Sequence, residues 1–248
     1  MKASPTPPWW ARLAMMSLDG PVFVLLARLA GGRGQHERPF DMMLIGALVW
    51  AGYVADRWLD ARLEAEAPTW RHQAARRHGP FFLLAAGVLV LAAMFAGARP
   101  FVIWSGIFRW VGGGLPIGLV AIYCGRWLYF GWLVRALCVA WLMAACAGWG
   151  ESWTFTDFTS VMILGFANLA AIRRAEVPTD RFMAPLPAWV ALAAAVHFAF
   201  APAVLSGATM GGALTIWVMG GGSGRWPERR RAAIDAVTFA ALATALLI

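Results

Sequence analysis

Charge is scarce in this chain. Only 14% of its 248 residues are Asp, Glu, Lys or Arg, while 60% are apolar, and the mean hydropathy is +0.63. That balance excludes an ordinary soluble domain, in which about a quarter of residues are charged. Lysine is almost missing: one Lys accompanies twenty arginines and thirteen acids. Cysteine is scarce too. Cys124, Cys138 and Cys146 all lie in apolar runs without CxxC or Cys/His spacing, which reads as small buried residues, not a disulfide framework or a metal site. No basic–aromatic nucleic-acid motif accompanies the net charge of +8, so nucleic acid is not an expected partner. The Gly220-Gly221-Gly222-Ser223-Gly224 run lacks Walker spacing and a following Lys, which makes it a linker. The Pro-rich start, Met1 to Trp10, has no signal-peptide pattern and is expected to stay in the mature chain.

Long apolar runs are abundant. They predict an all-α polytopic membrane protein of about nine spans, forming a single domain over residues 1–248. The expected spans are Trp9–Ala30, Phe40–Leu59, Pro80–Ala98, Phe101–Cys124, Leu128–Trp149, Phe155–Ile172, Leu186–Leu205, Ala208–Gly221 and Ala232–Ile248. Gly112 to Gly114 and Pro116 predict a kink or break in the fourth. Glu64 to Gly79 reads as a basic loop with Arg71, His72, Arg76, Arg77 and His78. Fifteen tryptophans suit interfacial belts and packing. Arginines gather after spans two, four, six and eight, and the segments after spans five and seven carry none; the link with Arg33 and Arg38 after span one is the clear exception. The positive-inside rule then puts the N-terminus in the cytoplasm. His197, alone on an apolar span, is expected to be a packing histidine with its polar needs met.

The second span ends in carboxylates. Asp56, Asp60 and Glu64 are spaced i, i+4, i+8 and share one helical face. Three acids on one stripe need positive charge beside them, either the nearby arginines or a divalent cation. Hard oxygen ligands on a helix suit Mg²⁺, which keeps several waters and shares substrate phosphates. Glu176 and Asp180 form a second acidic patch after span six, with Pro178 between them placing Asp180 in a loop. Arg135 sits two turns inside span five, where a guanidinium normally faces the protein interior and a partner.

Tyr53-Val54-Ala55-Asp56-Arg57-Trp58-Leu59-Asp60 resembles the first aspartate-rich motif of the UbiA superfamily of intramembrane prenyltransferases, which ends in D-R-x-x-D. Trp70-Arg71-His72 falls where that family carries a basic stretch, and Glu176-x-x-x-Asp180 where its second motif follows the sixth helix. A narrower likeness is to small UbiA-like bacterial membrane proteins. It rests on Ser17-Leu18-Asp19, Asp56-Arg57-x-x-Asp60, Arg71-His72, Asn168 and Arg231-Ala232-Ala233-Ile234-Asp235. The chain departs from the family at Gly52, near where its first motif begins with Asn, and at Glu176, which replaces Asp.

The resemblance implies Mg²⁺-dependent transfer of an isoprenoid chain from its pyrophosphate to a lipophilic aromatic, quinone or pigment-type acceptor, in the bacterial inner membrane. It implies catalytic roles for Asp56, Asp60, Glu176 and Asp180, metal ligation by Asp56, Asp60, Glu64 and Asp180, and substrate binding by Arg57, Arg71, Arg135 and Arg174. The missing Asn and the short chain favour another role: a non-catalytic UbiA-fold subunit bound to other members of a membrane complex.

Overall fold

The computed structural model describes residues 16–31, 38–63, 70–100, 131–148, 153–176, 185–220 and 227–248. Among these residues all regular structure is helical, in eight α-helices with no strand. They are α1 (Asp19–Gly31), α2 (Pro39–Leu63), α3 (Trp70–Phe95), α4 (Gly131–Ala147), α5 (Phe155–Glu176), α6 (Leu186–Phe200), α7 (Val204–Gly220) and α8 (Pro227–Leu247). Among the described residues three stretches are long and apolar enough to cross a membrane: Pro39–Arg62, Gln73–Phe95 and Phe155–Arg174. The expected fourth span, Phe101–Cys124, lies outside the described residues, as do Glu64 and Asp180.

Local chemistry explains where these helices start and stop. Prolines at Pro39 and Pro227 occupy first helical positions, where a missing N–H costs nothing. Helix α5 opens with a reciprocal cap. The Thr154 N–H donates to Asp157 Oδ2 at 2.9 Å, and the Asp157 N–H donates to Thr154 Oγ1 at 3.2 Å. Thr154→Ala should therefore cost about 1 kcal/mol of stability, measurable as a shift in the unfolding midpoint in detergent; an unchanged midpoint would deny the cap any weight. Helix α3 ends at Gly97, whose φ of +98° suits glycine. The Gly97 N–H donates to the Met94 carbonyl at 3.1 Å, and the Ala98 N–H to the Ala93 carbonyl at 2.9 Å. That pair is a Schellman motif.

Several expected boundaries moved: α1 begins at Asp19, inside the expected Trp9–Ala30 span, α8 begins at Pro227 ahead of Ala232, and two further shifts have a clear local cause. The stretch read as a basic loop up to Gly79 is helical from Trp70 onward, and α3 runs unbroken through Pro80. Proline forfeits one hydrogen bond inside a helix but does not forbid it. The seventh span was expected to reach Leu205. Instead α6 stops at Phe200, and Ala201 takes φ −139°, ψ 69° ahead of Pro202, because a residue before proline avoids the helical region. Helix α7 restarts at Val204, where the Ala203 N–H donates to Ser206 Oγ at 2.9 Å.

The chain divides into two units, residues 1–22 with 38–98, and 23–37 with 99–248. In the first, α2 packs on α3. Trp50, Val54 and Ala86 form its buried centre, with Leu18, Ala51, Phe82, Leu83 and Ala85 against them. In the second, α5 is the hub and touches α4, α6, α7 and α8. Its apolar window is 56% buried, against 17% for that of α3. Helix α7 comes close to two neighbours at Gly212, where a Cβ would sit 2.9 Å from Ala241 Cβ and 3.0 Å from Leu164 Cδ1. Such close approach is the usual use of small residues between membrane helices.

Candidate functional site

Helix α2 carries the first motif in its last turns, because the apolar run from Pro39 continues helically into the charged segment up to Leu63. Asp56 and Asp60 lie one turn apart and are both half-buried. Arg57, between them in sequence, turns to a different face and is buried, with 5% of its surface exposed. Its Nη2 donates to Asp19 Oδ2 at 2.8 Å, and its Nη1 donates to Ser17 Oγ at 3.3 Å. The guanidinium also lies over the Tyr53 ring, 4.0 Å from its centroid. Tyr53 Oη donates to the same Asp19 oxygen at 3.2 Å. Arg57, expected to bind substrate, is thus committed to a buried ion pair that fixes the start of α1 against α2.

That pair has local support. Asp19 opens α1, where a negative charge favours the helix dipole. Ser17 adopts φ +59°, a left-handed conformation, and its hydroxyl receives the Arg57 hydrogen bond. Trp50 Nε1 donates to the Met16 carbonyl at 2.8 Å one turn further along the interface. Gly20 admits the Tyr53 ring, since a Cβ there would meet Cδ1 at 2.9 Å. Near the end of α2, Arg62 stacks over the Trp58 ring at 4.3 Å.

The remaining expected residues are placed as follows. Arg71 lies in the first turn of α3, and Glu176 is the last residue of α5. Arg135 is half-buried on α4, and Arg174 is half-buried in the last turn of α5. Asp56, Arg57, Asp60 and Arg71 belong to the first unit, and Arg135, Arg174 and Glu176 to the second. Among the described residues no group of three or more His, Cys, Asp or Glu gathers into a metal cage. Mg²⁺ does not require one: one or two carboxylates with substrate phosphates and waters are its usual ligands. The hard-oxygen pair Asp56 and Asp60 fits that donor set.

A second polar network holds the larger unit together. Asn168 Nδ2 donates to Asp235 Oδ1 at 3.0 Å and to Thr238 Oγ1 at 2.9 Å, tying α5 to α8. Arg231 Nε lies 3.8 Å from Asp235 Oδ2 on the same helix. Asn168 and Asp235 drew notice in the sequence only through the family likeness. The i, i+4 spacing of Arg231 and Asp235 at the head of an apolar run was the signal that they form one cluster. His197 is the satisfied packing histidine that was expected. Ser160 Oγ donates to the Thr156 carbonyl at 2.7 Å, and Thr159 Oγ1 to the Phe155 carbonyl at 2.9 Å. Both hydroxyls therefore accept from His197 Nε2–H, at 3.0 and 3.3 Å.

Compared with protein-family models, with curated proteins and with solved structures, the chain matches none.

Proposed function

We propose that this chain is a UbiA-like prenyltransferase of nine membrane spans with a cytoplasmic N-terminus, set in a bacterial inner membrane. Its substrates are a prenyl pyrophosphate and a lipophilic acceptor, and its metal is Mg²⁺. The observation that carries the reading is the half-buried carboxylate pair, Asp56 and Asp60, one turn apart at the polar end of an apolar helix of spanning length. Carboxylates at such depth are expensive and mark functional sites by default. Asp56 and Asp60 would hold Mg²⁺, with Glu64, Glu176 and Asp180 as further candidates; the ion would neutralise charge on the departing pyrophosphate. In the transfer, the prenyl C1–O bond breaks and the pyrophosphate takes the electron pair. The allylic cation is then captured by an electron-rich acceptor atom, which loses a proton. The abundant aromatics of the chain suit this cation and exclude water from it.

The inward commitment of Arg57 to Asp19 favours a second reading, a structural subunit of a larger membrane complex, because it removes a cation from the substrate side. Binding of a prenyl pyrophosphate to the purified chain separates the two. The enzyme reading expects binding that needs Mg²⁺ and is lost in Asp56→Ala, with transfer abolished in Asp60→Asn while helicity is kept. Absence of binding with and without the metal would leave the subunit reading.

A further inference from the structure

Helix α3 is the most exposed of the three spanning stretches, and its exposed face is ordered from charge to grease. Arg77, Phe81, Leu84, Val88, Leu91 and Phe95 recur at alternating steps of four and three, so they line one stripe. The apolar members are 67%, 67%, 57%, 56% and 91% exposed in that order, so no other part of the first unit covers them. Arg76 and Arg77 are exposed at the head of the stripe, and among the described residues neither makes an ion pair. His78, beside them, is exposed with its ring 6.1 Å from that of Phe82. Gly87 makes a notch beside the stripe, between Leu84 and Leu91, where an added Cβ would meet nothing within 4 Å.

The geometry points to a binding site for one anionic glycerophospholipid on this face, phosphate at Arg76 and Arg77, acyl chain along the Gly87 notch. Lengths agree. Phe81 to Phe95 spans about 21 Å of helix at 1.5 Å per residue, more than the roughly 15 Å of one leaflet's hydrocarbon. A chain descending from a headgroup at Arg77 therefore has apolar helix against it throughout. Charge complementarity selects the headgroup: two exposed guanidiniums attract a net-negative lipid over a zwitterionic one, by roughly fivefold for each arginine. Helix α6 supplies the contrast. Trp189, Leu192, Val196 and Phe200 form a similar exposed apolar stripe, but α6 contains no arginine or lysine. It should take any lipid alike.

The site rests on the membrane reading and not on prenyl transfer. The test is retention of phosphatidylglycerol against phosphatidylcholine of identical acyl chains by the full chain purified in detergent, counted by native mass spectrometry. The wild type is expected to prefer phosphatidylglycerol by tenfold or more. Arg76→Gln/Arg77→Gln should abolish that preference, and Gly87→Leu should weaken it with both charges intact. Arg38→Gln removes a charge from another exposed position and should leave the preference unchanged. Equal retention of both lipids by the wild type would overturn the site, as would an equal loss in Arg38→Gln. Carbonate extraction of the same chain from membranes reports separately on the membrane reading.

Discussion

Arg57→Met should destabilise the chain by about 3–5 kcal/mol, the usual consequence of removing one partner from a buried ion pair. The cost arises less from the lost attraction than from what remains. Asp19, with a side chain 9% exposed, would keep its charge after losing the guanidinium, and the neutral Tyr53 hydroxyl that also donates to it cannot replace that cation. Ser17 would lose the donor that holds its hydroxyl at a left-handed backbone position. Lysine should not rescue the site, because its single ammonium cannot reproduce the fork that reaches Asp19 and Ser17 together. Removing both charges in Arg57→Met/Asp19→Leu should recover most of the loss, since an apolar replacement of the whole pair is often neutral. Unfolding in mixed micelles gives the three values. A cost below about 1 kcal/mol for Arg57→Met would show that the pair is dispensable, and would return the arginine to the list of substrate-binding candidates.

Trp153→Ala should have an effect of similar size, about 3–5 kcal/mol, by opening a cavity in the second unit. Trp153 is 4% exposed although it lies outside any helix. Two glycines make its seat. A Cβ at Gly31, the last residue of α1, would collide with Cε2, Cζ2 and Nε1 of the indole, and one at Gly148 would meet Cε3 at 2.7 Å. The ring therefore joins the end of α1 to the end of α4. Arg28 reinforces the same junction by donating from Nη1 to the Ala147 carbonyl at 3.4 Å, near the negative end of the α4 dipole. The opposite error, Gly31→Ala, should cost about 1–3 kcal/mol by overpacking. The two should not add. In the Trp153→Ala background the alanine at 31 enters the space the indole vacated, so its own cost should fall to near zero. Additive losses would mean that the glycine serves the backbone and not the ring.

These junctions show which features the sequence made legible. The helical class followed from hydropathy alone, and the i, i+4 spacing of Asp56 and Asp60 placed them on one face without further help. The direction of Arg57 was not legible. Its neighbours in sequence suggested a basic group beside the acids, but one residue is 100° of helix, and its partner Asp19 lies 38 positions away in the chain. Ser17-Leu18-Asp19 and Asp56-Arg57-x-x-Asp60 stand side by side in the family likeness; their physical link is an ion pair that spacing cannot reveal. The same is true of Asn168 and Asp235, 67 positions apart. The start of α3 was misread for a different reason. Charge density in Arg71 to His78 suggested a solvated loop, yet arginine is a good helix former, and Pro80 looked like a boundary when it is an interior residue.

That last correction has a physical consequence for the membrane around the protein. Because Arg76 and Arg77 ride on the same continuous rod as Phe95, their height above it is fixed and cannot adjust as a loop would. The helical length from Pro80 to Phe95 is about 22 Å, short of the roughly 30 Å of an average hydrocarbon slab. Tilting would only worsen the shortfall. A bilayer must therefore thin locally beside α3, or the two guanidiniums must reach outward for their phosphates. Embedded in lipids of increasing chain length, the chain should lose stability first at this helix, which makes α3 a gauge of bilayer thickness.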